Sequence, residues 1–83
     1  MIDVKTASKT AYEHFGELYQ GDFDNLSLEE VELSEDGKYW EIILGYSVPG
    51  QHSITSGSTS REFKKLEIDA ETGRFVSMKV HNP

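Results

Sequence analysis

Phe63-Lys-Lys-Leu-Glu-Ile-Asp-Ala-Glu-Thr-Gly-Arg-Phe-Val-Ser-Met78 reads as a strand, a tight turn and a second strand. Asp69 and Gly73 bracket the turn. Upstream, Ser34-Glu-Asp-Gly-Lys-Tyr-Trp40 forms a second turn that opens into the apolar run Trp40-Glu-Ile-Ile-Leu44. Gly37 and Gly73 supply the positive φ that closes a hairpin loop. Two hairpins joined in this way predict a small antiparallel sheet.

The elements around that sheet follow from periodicity. Leu28 to Leu33 forms the first strand, with Val31 and Leu33 on one face and Glu30 and Glu32 on the other. Leu26 and Leu28 are out of phase with Val31 and Leu33, which reads as a bulge or a late strand start. In Tyr39 to Val48, the residues Trp40, Ile42, Leu44, Tyr46 and Val48 share a face. Pairing Leu33 with Trp40 and Val31 with Ile42 keeps both apolar sets on one side. Leu66 and Ile68 are the inward residues of the third strand, and Val76, Met78 and Val80 those of the fourth.

Ahead of the strands, Val4, Ala7, Ala11, Phe15 and Leu18 recur at spacings of three and four, with Asp3 as N-cap. The small residues Ala7 and Ala11 on this stripe predict a helix lying close against a flat surface. Gly16 weakens its last turn by about 1 kcal/mol. The expected fold is therefore α+β: one N-terminal helix packed on a four-stranded antiparallel meander, with Trp40 buried against the helix.

Pro49-Gly-Gln-His-Ser-Ile-Thr-Ser-Gly-Ser-Thr-Ser60 joins strands two and three. It is long for a hairpin loop, where 2–5 residues are usual. Such a loop is either mobile or functional, and Ile54 is its one large apolar residue.

Composition bounds the rest. Eighty-three residues make one small domain, and the absence of cysteine excludes disulfides and thiolate metal sites. No apolar run approaches the roughly 18 residues of a membrane span. The N-terminus lacks a basic n-region and an apolar h-region, which predicts a cytoplasmic protein without a signal peptide. A mature extracytoplasmic domain preceded by an added Met1 has the same sequence features.

Net charge is −7 and uneven. Between Thr10 and Gly37 stand nine acidic residues and no Lys or Arg, whereas the other positions sum to +2. Such a field repels phosphate backbones, which argues against nucleic acid and anionic membranes as partners. The acidic stretch, including Asp22, Asp24, Glu29, Glu30, Glu32, Glu35 and Asp36, is either a solvated face or a face for a basic partner.

Helix, Trp40-Glu-Ile-Ile-Leu44 strand and Leu66-Glu-Ile-Asp-Ala-Glu-Thr-Gly-Arg-Phe-Val76 hairpin, in that order, resemble the PepSY domain family. The Asp-Ala-x-x-Gly turn typical of its last hairpin is matched by Asp69, Ala70 and Gly73. The resemblance implies a non-enzymatic domain of a kind found in peptidase propeptides and cell-envelope proteins, with peptidase inhibition as a proposed role. On this reading the domain is expected to stand without a signal, membrane anchor or attached peptidase, a departure from the family pattern that bears on the inhibitory role more than on the fold.

No chemistry-bearing motif competes with that reading. His14, His52 and His81 do not fall at the i,i+4 spacing of a helical zinc pair. Asp22-Phe-Asp24-Asn25 begins like a calcium loop but places Leu26 at its fifth position and lacks the glycine and closing glutamate. His52 and Ser53 have no third group to orient a base. Asn25-Leu26-Ser27 is a glycosylation sequon that acts only on a secreted chain. The expectation is a chain without catalytic residues, metal or cofactor.

Two binding surfaces are expected instead. If Trp40, Ile42 and Leu44 face the helix, then Tyr39, Ile43, Phe63 and Phe75 face away from it. Four large apolar residues on an open sheet face suit a protein partner or a two-fold homodimer. In the alternative, the acidic stretch makes the chain an inhibitor or immunity-type protein for a basic enzyme or nucleic-acid-binding site.

Overall fold

The computed structural model describes residues 1–49 and 59–82. Helix α1 (Val4–Leu18) is followed by strands β1 (Asp24–Leu33), β2 (Tyr39–Pro49), β3 (Thr59–Asp69) and β4 (Phe75–Val80). The strands form one antiparallel sheet in the order β1-β2-β3-β4, a meander, with α1 across one face. His52, Ser53, Ile54 and Ser58, expected in a long loop, lie outside the described residues. Pro49, Thr59 and Ser60, expected in that loop, belong to the paired arms of β2 and β3.

Local chemistry explains each element. The Asp3 carboxylate accepts the Thr6 N–H at 2.8 Å and caps the helix. Ala7 and Ala11 are fully buried, so the helix backbone rides close to the sheet over Ile42, Leu44, Leu66 and Ile68. Phe15 ends that stripe inside an aromatic cluster with Tyr19, Phe23 and Tyr46, whose ring centroids lie 4.8 to 6.4 Å apart.

Leu33 pairs with Trp40 and Val31 with Ile42, the expected register. The phase slip at Leu26 and Leu28 is resolved by irregularities between Asp24 and Ser27 and between Leu28 and Glu30. Asn25 takes φ 53° there, and β1 starts at Asp24 rather than Leu28.

The N-terminus is tied to both hairpin turns. Ile2 N–H donates to the Ala70 carbonyl at 2.8 Å, and Ala70 N–H donates to the Lys38 carbonyl at 2.9 Å. The Trp40 indole N–H donates to the Ile2 carbonyl at 3.1 Å. Trp40 is half-buried rather than buried, because this end of the core is closed by Ile2 and not by the helix.

The fourth strand departs from expectation. A bulge beside Glu67 and Ile68 sets Phe75 in register with Ile68 and Met78 with Leu66. One extra residue reverses the alternation. Phe75 therefore turns to the helix, where its ring stacks on His14 at 4.7 Å. Val76 and Val80, expected inside, are exposed.

Candidate functional site

The open sheet face is built from alternate residues of all four strands. Tyr39, Glu41, Ile43, Gly45 and Ser47 of β2 share it with Glu30 and Glu32 of β1 and with Arg61, Phe63, Lys65, Glu67 and Asp69 of β3. Of the four residues expected there, Tyr39, Ile43 and Phe63 are present. Phe75 is corrected to the helix face.

Ile43 and Phe63 line one concavity with Glu29, Glu30 and His81, but Tyr39 stands apart from them. Tyr39 pairs with Asp69, whereas Phe63 pairs with Gly45, six residues further along β2. At about 3.3 Å per residue that is roughly 20 Å. Ile43 keeps only 9% of its surface, between Glu30 and Lys65. Phe63 lies against Gly45, where an added Cβ would stand 3.0 Å from its ring.

Polar contacts cover much of what remains. Arg61 donates to the Asn25 carbonyl at 2.6 Å, to Ser47 Oγ, to Ser27 Oγ and to Glu29 Oε2 at 2.9 Å. The Ser27 hydroxyl and then Arg61 hold the Glu29 carboxyl below its ordinary range. Lys65 Nζ lies 3.6 Å from Glu41.

The acidic residues divide by role. Glu29 is consumed by Arg61. Asp36 accepts from the Ser34 hydroxyl and the Lys38 N–H inside the β1–β2 turn, and these bonds lower its pKa. Asp22 and Asp24 are exposed at the entry to β1, and Glu35 is exposed in the turn. Glu32, Glu41 and Glu67 stand in one cross-strand row and line a concavity of about 670 Å³ with Glu35 and Asp36. Like charges directly opposite one another destabilise a sheet. Lys65 offsets this at Glu41, and the Ser77 hydroxyl donates to Glu67 at 2.9 Å. Among the described residues no cation is paired with Glu30 or Glu32.

The exposed apolar surface lies elsewhere. Val4, Ser8 and Tyr12 from α1, with Leu28 and Val31 from β1, line a groove of about 650 Å³. Lys5, Lys9 and Glu13 form its helix rim. Leu28, Val31 and Leu33 pair with Leu44, Ile42 and Trp40, so all three point to the helix side of the sheet. Yet Val4 is 42%, Leu28 39% and Leu33 38% exposed. One helix is too narrow to roof four strands, and β1 is left with an unroofed apolar row. Alternation put Val31 and Leu33 on this side but left Leu28 out of phase; the irregularity between Leu28 and Glu30 brings it into the row.

Among the described residues no group of three or more His, Asp and Glu is placed to hold a metal ion. No helix described is long and apolar enough to cross a membrane. No protein-family model, curated protein or solved structure matches the chain.

Proposed function

We propose that this chain is a non-catalytic, PepSY-like protein-binding domain that engages its partner through the groove between α1 and β1. One observation carries the reading: Val4 and Leu28, which line the groove, stay more than one-third exposed on the side of the sheet that is otherwise core. By contrast, Ile43 on the open face is already covered. Burying that groove in a partner returns about 25 cal/mol for each Å² of apolar surface removed from water. A second reading, an acidic inhibitor of a basic site, draws on the row Glu32, Glu41 and Glu67.

Selection of binders from a random peptide library, run on the wild-type chain and on Leu28→Ser with Val31→Ser, separates the two. Leu28 is exposed and Val31 is half-buried against the core, so a thermal melt first establishes that the variant keeps its fold. Groove binding predicts peptides that lose affinity for the variant and hold it as salt rises. Peptides indifferent to the variant but released by salt support the acidic inhibitor instead.

A further inference from the structure

The groove ends at a strand edge whose backbone no described strand pairs with. Ser34 N–H donates to the Tyr39 carbonyl at 2.8 Å, which makes Ser34 and Tyr39 a hydrogen-bonded pair. Alternation along the regular register from Leu33–Trp40 to Glu30–Ile43 then makes Glu32–Glu41 and Glu30–Ile43 hydrogen-bonded pairs as well. Val31 and Leu33 are left with N–H and C=O directed outward, away from β2. β1 is the first strand of the sheet order, so no described strand takes up these groups. The bulge at Leu28 and Glu30 ends the regular edge, so Glu30 to Leu33 is the stretch open to pairing.

The two faces of that stretch differ in chemistry. On the helix side, a strand laid beside Val31 and Leu33 would place its side chains over the apolar groove. On the open side, its alternate residues would stand next to Glu30 and Glu32, which have no cation partner among the described residues. The helix rim carries Lys5 and Lys9 against the single acid Glu13, so its net positive charge disfavours positive charge on the apolar side. We infer that β1 accepts an extended segment of a partner protein whose residues alternate apolar and basic, as a fifth strand of the sheet. This rests on the groove reading above and specifies the occupant of that groove.

A second copy of the chain fits less well. Antiparallel pairing of β1 with β1 would bring Glu30 and Glu32 of one copy against the same residues of the other. The opposite edge, β4, offers Lys79 and Ser77 on its open side, one positive charge where the inference asks for two.

The probe is a short synthetic peptide alternating valine and lysine, with a control of equal composition in which valines and lysines form two blocks. Amide hydrogen exchange at Val31 and Leu33 is followed by NMR as each peptide is titrated into the full chain. The alternating peptide is expected to slow exchange at both amides, and the block peptide is not. The double charge reversal Glu30→Lys with Glu32→Lys, at exposed positions that leave the fold intact, weakens the alternating peptide by about tenfold. It also transfers preference to a valine–glutamate peptide.

Equal binding of the block peptide, or binding that leaves both amides unprotected, overturns strand addition. Protection that rises with protein concentration alone, with a dimer in sedimentation, assigns the edge to a second copy and overturns it too. If the alternating peptide fails while library binders still require Leu28 and Val31, strand addition falls and the groove reading stands. If those binders are indifferent to Leu28 and Val31 as well, both fall.

Discussion

The Trp40 indole N–H donates to the Ile2 carbonyl at 3.1 Å, joining residues 38 apart in sequence. Ile2 N–H is held in turn by Ala70. The start of the chain is thus clamped between the two hairpins. Trp40→Phe removes the donor alone and should cost about 0.5–1.5 kcal/mol. Trp40→Ala also removes packing and should cost about 2–4 kcal/mol, below the top of the range for a fully buried tryptophan. Denaturant unfolding of both variants measures the difference: equal losses would mean that the ring packing contributes nothing, and a Trp40→Phe chain as stable as the wild type would mean that the hydrogen bond contributes nothing.

Gly73 and Gly16 should respond in opposite directions. Gly73 holds φ +80° and donates its N–H to the Asp69 carbonyl at 2.8 Å, closing the last turn. A β-branched residue resists that conformation, so Gly73→Val should cost about 1–3 kcal/mol. Gly16 sits in α1 with nothing within 4 Å of an added Cβ. Gly16→Ala should stabilise by about 0.5–1 kcal/mol, since alanine loses less backbone entropy in a helix. Thermal melts of the pair check both signs.

The helix, its cap, the four strands and the Leu33–Trp40 register were legible because period and turn chemistry are local. Phe75 was not. Its orientation depends on a bulge at Glu67 and Ile68, and a single inserted residue reverses parity without any mark in composition. Pro49, Thr59 and Ser60 read as loop because proline, serine and threonine favour turns, but pairing between β2 and β3 overrides that preference. The groove was half legible. Val31 and Leu33 were visible on one face, but Leu28 joins them only through a bulge, and the width of one helix, a tertiary property, decides that β1 stays unroofed.

Acid should weaken the fold through its capping carboxylates. Asp3 is held below its ordinary pKa by the Thr6 N–H, and Asp69 by the N–H groups of Thr72 and Glu71. A depressed folded-state pKa contributes stability that is complete above the unfolded value, about 4, and is lost as pH falls through the folded value. Asp3→Asn and Asp69→Asn should each flatten the decline of Tm below pH 4. An unchanged acid limb in both variants would rule out these bonds as its source.

Alkali should act through Tyr46. Burial first, and then the Glu62 carboxylate that its hydroxyl faces at 3.4 Å, push the phenol from 10.0 up to about 12. The folded state therefore binds this proton more tightly than the unfolded state does. The resulting stability is present below pH 10 and lost between pH 10 and 12. Ultraviolet titration should show a phenol ionising near 12 that disappears in Tyr46→Phe. The same variant should reduce the loss of Tm over that window.

On the groove reading Phe63 belongs to the scaffold rather than to the binding surface, and Gly45 is the means of testing that assignment. A Cβ at Gly45 would meet Glu29 Oε2 at 2.7 Å, Glu29 Cγ at 3.0 Å and Phe63 Cε1 at 3.0 Å. Glu29 cannot give way freely, because Arg61 and Ser27 both donate to it. Gly45→Ala should therefore cost about 1–3 kcal/mol, as overpacking does. Phe63→Ala vacates part of that space, so the double variant should be less destabilised than the two single losses combined. Neither change lies in the α1–β1 groove, and both should leave the affinity of groove-directed peptides within about twofold. Strict additivity would show that the ring and the glycine are independent. Loss of peptide binding in a folded Phe63→Ala chain would return the site to the open face.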